Sequence, residues 1–144
     1  MKIDRTQFED NLPVIVLMSH GHFASALLGS AKMIAGEDIK NIVSICLEEG
    51  DNPQEFKDET KKVLAELPKD RLVLVDLFGG TPCNSFLASL KDCEEKEAAI
   101  AGMNLPMLLE LLGSRRGMSP EQLRDLALEC GKESVCNVTE KIFG

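Results

Sequence analysis

At 144 residues the chain is long enough to bury one proper core and too short for two. Its 44% apolar and 28% charged composition is that of an ordinary globular fold rather than a disordered segment. The net charge of −8 argues against nucleic acid or an anionic membrane as partner, because phosphate contacts need clustered Lys and Arg; a basic protein remains a fitting one.

The first dozen residues, opening "MKIDRTQFEDN", read as an N-terminal extension to a single domain spanning 1–144. They lack the apolar core of a secretory signal, and no later stretch reaches membrane-spanning length, so a cytoplasmic chain is expected. "VIVLM" (14–18) is the first predicted strand, apolar without alternation, as a strand covered on both faces should be. "FASALLGSAKMIAG" follows as a helix with Phe23, Leu27, Leu28, Ala31 and Ile34 inward and Gly36 as its stop. "NIVSICL" (41–47) is the second strand. Asn52 caps the next helix, with Pro53 in its first turn, Glu55 completing a capping-box-like pair, and Phe56, Val63, Leu64 and Leu67 facing in before Pro68.

"RLVLVDLF" (71–78) is the third strand. "GGTPCNSFLASL" then turns on glycine and starts a helix with Thr81 as cap and Pro82 in the first turn. "EAAIAGM" (97–103) is a fourth strand, and "LPMLLELLGSRRG" a leucine-rich helix ending in a basic turn. Ser119-Pro120-Glu121-Gln122 caps a helix that stops near Gly131, and "SVCNVT" (134–139) is a short last strand. Such β-α alternation predicts an α/β three-layer sandwich around a mainly parallel sheet, because parallel neighbours require crossover connections. Five cysteines (Cys46, Cys83, Cys93, Cys130 and Cys136) are odd in number and form no C-x-x-C pair, which favours reduced, structural thiols. With only two histidines, no metal site is expected.

Those two histidines, in "LMSHGH", concentrate the functional question. In a parallel sheet of strand order 2-1-3-4, the working cleft lies beyond the carboxyl ends of strands one and three. His20 follows the first of these and Asp76 ends the third. A carboxylate accepting from Nδ1–H fixes the tautomer of an imidazole, leaves Nε2 free to attack phosphorus, and stabilises the positive ring that forms. Helices begin beside both residues, and their unpaired N–H groups favour a phosphoryl group. Gly21, Gly79 and Gly80 allow close backbone approach, and Thr81 either donates to a phosphate oxygen or serves only as a cap. Each residue also has a plainer role: His20 as a solvated turn residue, Asp76 as a cap. His22 is read as a surface residue or a rim contact. Arg115 and Arg116 meet an anion or acidic partner, or simply form a solvated turn.

"VIVLMSHGHFASALLGSAKMIAG", "EEGDNP", "LVLVDLFGGTPCN" and "AAIAGMNLPMLLELL" together resemble the mannose-family EIIA domain of the bacterial phosphoenolpyruvate:sugar phosphotransferase system, from Val14 onward. The resemblance implies a phosphocarrier without cofactor. It would accept a phosphoryl group from phospho-HPr on Nε2 of His20, with Asp76 on Nδ1 and Thr81 near the phosphate. It would then pass the group to an EIIB component that serves a membrane permease. It also implies a homodimer in which the last strand joins the partner's sheet. The related phosphotransfer subunit of dihydroxyacetone kinase, or a regulatory EIIA-like domain, is the alternative. A receiver-like domain phosphorylated on Asp76 would need acidic Mg²⁺ ligands after the first strand, where Met18, Ser19 and His20 stand.

Overall fold

The computed structural model describes residues 1–91 and 96–144; Cys93 lies outside them. Among the described residues the elements are β1 (Lys2–Arg5), β2 (Val14–His20), α1 (Phe23–Ala35), β3 (Ile42–Leu47), α2 (Pro53–Glu66), β4 (Arg71–Val75), α3 (Thr81–Ser89), β5 (Ala99–Ala101), α4 (Leu105–Ser114), α5 (Pro120–Glu133) and α6 (Val138–Phe143). The sheet runs β1-β3-β2-β4-β5. β3, β2, β4 and β5 are mutually parallel and β1 is antiparallel to β3.

β2 shows why the central strands are continuously apolar. Ile15 and Leu17 enter the core under α1, α4 and α5, whereas Val14, Val16 and Met18 enter the one under α2 and α3. Helices therefore cover both faces of the sheet, and residues 14–18 are apolar on both sides of the strand. Phe56 and Phe86 are both buried on the α2 and α3 side, Phe56 almost completely; its full burial is worth about 1.5–3 kcal/mol. No helix among the described residues is long and apolar enough to cross a membrane.

The structure differs from the sequence expectations at several places. The first dozen residues are not a bare appendage, since Lys2–Arg5 pair with residues 43–46 as an edge strand. Residues 134–139 are not a strand. Ser134 closes α5, which runs on through Gly131, and Asn137 caps α6 by accepting from the Glu140 amide. A local cap was available there, and no neighbouring strand in the chain was. In α1 the buried stripe is Ala24, Leu27, Leu28 and Ala31; Phe23 and Ile34 fall on the same flank of the helix and are exposed. The residue capping α3 is Gly80 rather than Thr81, which occupies the first helical position.

The end of the sheet away from the β-α loops carries two buried arginines. Arg71, at the start of β4, pairs with Glu97 and donates to the carbonyls of Leu64 and Leu67, closing the C-terminus of α2. Arg115, expected in a solvated turn, is also buried. It donates to the carbonyls of Pro13, Lys40 and Asn41, the residues leading into β2 and β3. Burial lowers this guanidinium to about 10.

Candidate functional site

The carboxyl ends of β2 and β4 lie side by side, with Met18 level with Val75, and this register brings their next residues together. His20 Nδ1 lies 2.9 Å from Asp76 Oδ2. A carboxylate can only accept, so Nδ1 carries the proton, and in the neutral form of the ring the lone pair is then on Nε2. The same Oδ2 also accepts from the His20 backbone amide at 2.9 Å. Asp76 Oδ1 is buried with no hydrogen-bond partner among the described residues. A carboxylate with one oxygen so poorly solvated gains from any positive charge that develops on the ring it holds. The His20 side chain is 45% exposed and that of Asp76 only 16%, which leaves the ring reachable and its anchor protected.

The turn bearing His20 is fixed by its neighbours. Buried Ser19 uses Oγ to accept from the Ala24 amide at 2.7 Å, tying the strand end to the first turn of α1. Gly21, at φ +54, donates its amide to the Leu47 carbonyl at 2.6 Å. That N–H is committed to the fold, so what Gly21 offers the turn is its backbone conformation and its lack of a side chain. Ser19 stands next to His20 in "LMSHGH", but nothing in that pattern marks it as the residue that anchors the turn.

On the other side the ring meets the loop between β4 and α3. Gly79 has φ +81, a region other residues rarely adopt, and Asn84 Nδ2 holds its carbonyl at 2.9 Å. Gly80 lies close against the imidazole. A Cβ built on it would stand 2.5 Å from His20 Cε1 and 3.0 Å from Nε2. Thr81 and Pro82 follow in the first turn of α3; Pro82 has no N–H, which leaves the amides of Thr81 and Cys83 as those without an intrahelical acceptor. His20, Asp76 and Gly80 are thus brought together, with Gly79 and Thr81 flanking Gly80 in the chain.

His22 is a separate case. Its Nε2 lies 2.9 Å from Glu48 Oε1 in the loop after β3. The other oxygen of Glu48 and one of Asp51 accept from the Met1 ammonium at 2.8 and 2.9 Å. These contacts, led by the ammonium, hold Glu48 and Asp51 below their usual carboxylate values and raise the amine above its own. His22 therefore belongs to a clasp between β1 and the β3–α2 loop. Among the described residues, no group of His, Cys, Asp and Glu is arranged to hold a metal ion.

Comparison with known proteins gives a consistent result. Residues 14–128 match the EIIA-man family model, described as the fructose IIA component of the phosphotransferase system. The fructose-specific EIIA component of Bacillus subtilis is 34% identical over 78% of this chain and 75% of its own length. The mannose-specific EIIAB component of Escherichia coli is 39% identical over 84% of this chain, which matches 38% of that longer protein. Among solved structures, a phosphotransferase-system EIIA component from Streptococcus agalactiae superposes with a TM-score of 0.79 at 27% identity, covering 90% of this chain and 99% of that one.

Proposed function

Because the chain belongs to the mannose-type EIIA family of sugar phosphotransferase components, we propose that it carries a phosphoryl group on Nε2 of His20 between phospho-HPr and an EIIB component. The observation that carries this reading is the Nδ1–Asp76 hydrogen bond at the mouth of an exposed ring. In the first half-reaction the Nε2 lone pair attacks the phosphorus of the donor's phosphohistidine. The P–N bond to the donor breaks, and its electron pair returns to the donor's ring. The His20 ring becomes positive while Nδ1–H stays on Asp76, which offsets that charge without moving the proton. In the second half-reaction the acceptor's nucleophile attacks the same phosphorus and the electron pair returns to Nε2, regenerating the neutral ring. Gly79 and Gly80 keep the approach free of side chains, and the Thr81 hydroxyl donates to a phosphate oxygen.

The chain acts in the cytoplasm and meets the membrane only through the permease its acceptor serves. It works as a homodimer. Val135, Val138, Ile142 and Phe143 are 71–84% exposed at the C-terminus, and β5 pairs only with β4 among the described residues, which supports a partner surface there.

The test is incubation with phosphoenolpyruvate, Enzyme I and HPr, followed by acid and alkali treatment of the labelled chain. A phosphohistidine is lost in acid and survives alkali. His20→Ala should abolish the label and His22→Ala should keep most of it; label retained on the His20 variant refutes the assignment.

A further inference from the structure

Ser19 is a polar residue in an apolar setting. It follows Ile15 and Leu17 on the α1 side of β2, lies level with Cys46 of β3, and is fully buried. Burying a hydroxyl on such a face costs free energy unless protein partners replace its bonds to water. Here they do. Oγ accepts from the Ala24 amide at 2.7 Å and donates to the Gly21 carbonyl at 3.3 Å. Cys46 Sγ, at 4.0 Å, is a second and weaker acceptor for the same proton.

Both bonds act on the segment that carries His20. The N-cap residue of α1 is His22, yet its side chain makes no cap bond and pairs with Glu48 instead. Ser19 supplies the missing acceptor from five positions before Ala24, and the loop it closes, 20–23, contains His20. Asp76 does not fix the ring alone. Its bonds from the His20 amide and from Nδ1 both end on Oδ2. Two bonds that meet at one atom make a pivot, about which the ring can swing and carry Nε2 with it. Gly80 limits that swing on one side. The backbone beyond His20 is held by the Gly21 amide on Leu47 and by the Ser19 hydroxyl, and of these two only the hydroxyl belongs to a side chain.

We propose that Ser19 is a positioning residue for phosphoryl transfer: its hydroxyl sets the backbone of the His20 turn so that Nδ1 stays in line with Asp76 and Nε2 faces the open site. The inference rests on the phosphocarrier reading. Ser19 acts through the main chain, so it governs the transfer step and leaves the encounter with the donor unchanged.

The experiment compares Ser19→Thr with Ser19→Val, which have nearly the same shape and differ by the hydroxyl, so any cost of extra bulk falls on both. Ser19→Ala completes the set. Ser119→Ala is the control for a lost cap: Ser119 accepts from Gln122 at the start of α5, next to Pro120, which lines a cleft with Lys69 and Arg71. Each chain is labelled by phospho-HPr over a range of concentrations and by phosphoramidate, a small donor that needs no docking. Ser19→Val should transfer about 10- to 100-fold more slowly than Ser19→Thr with both donors, while KM for phospho-HPr stays within about 2-fold. Ser19→Ala should follow Ser19→Val, whereas Ser119→Ala should lower the melting temperature and keep the native rate. Nitrogen NMR of the neutral His20 ring should show Nδ1–H dominant in the native chain and in Ser19→Thr, and a mixture of tautomers in Ser19→Val. Equal rates in the Thr and Val variants overturn the proposal. So does equal slowing by Ser119→Ala, which would make the effect one of stability alone. A native chain labelled by neither donor overturns the phosphocarrier reading instead; the tautomer comparison then decides alone, and one unchanged tautomer in every variant ends the proposal.

Discussion

Replacing Gly80 by alanine adds one methyl group at the place where the backbone meets the His20 ring. Gly80 has φ −76 and ψ 171, an extended conformation open to any residue, so alanine brings no backbone strain. The whole effect falls on the imidazole. The new Cβ would stand 2.5 Å from Cε1 and 3.0 Å from Nε2, against an ordinary carbon contact of about 3.5–4 Å. The ring must therefore retreat by about 1 Å, which takes the present 2.9 Å bond to Asp76 beyond hydrogen-bonding range or out of line. A misplacement of about 1 Å costs on the order of 100-fold in rate, and the methyl also crowds the attacking nitrogen. Quenched-flow labelling from phospho-HPr should show a loss of about that size, while thermal unfolding stays within a few degrees of native because the added group faces the open site. Labelling at the native rate by a normally folded Gly80→Ala chain would mean that the ring is not held between Gly80 and Asp76.

Asp76→Asn keeps the shape but removes the charge that offsets the positive ring. Transfer should slow by about 10- to 100-fold with the fold intact, as read by labelling rate and melting temperature together, and a normal rate would make Asp76 a bystander. Arg115→Ala leaves the carbonyls of Pro13, Lys40 and Asn41 without their donor. Urea unfolding should show a loss of about 2–4 kcal/mol, with His20 still accepting phosphate at native temperature. The β1 clasp should depend on pH at both ends. Glu48 and Asp51 have values depressed below 4.5 and 3.8, so their contribution is present above those values and lost as pH falls through the depressed ones. The Met1 amine is raised above 8.0, so its contribution is present below that value and lost as pH rises through the raised one. Exchange protection of the β1 amides, corrected for intrinsic rates, should fall at both limits; flat protection across the range would contradict the clasp.

What was legible in the sequence follows from how local each signal is. β2 and β4 announce themselves because burial on both faces gives each an unbroken apolar run, 14–18 and 72–75. His20 and Asp76 were readable because a strand end followed by a glycine turn is a local pattern, and sheet order then makes the two ends neighbours. β1 was not readable: Lys2–Arg5 offers a single apolar residue, Ile3, and is a strand only because β3 is beside it. "SVCNVT" has β-branched residues but no strand to pair with, and the Asn137 cap prevails. Arg115 resembled a solvated turn because its partners are carbonyls up to 102 positions away in the chain. The amide of Gly21 and the contact of Gly80 with the ring depend on where other strands and loops arrive, which no motif encodes.

The two buried arginines lend this architecture a practical property. Arg71 and Arg115 fasten the rim of the sheet that lies opposite the imidazole, and they do so mainly through main-chain oxygens. Part of the chain's durability therefore rests on residues remote from His20. A screen that scored only how much protein accumulates in a cell would flag the arginine rim and pass over a change such as Gly80→Ala, whose added methyl meets only the imidazole, so inventories of harmful variants in chains of this kind need a second, activity-based count.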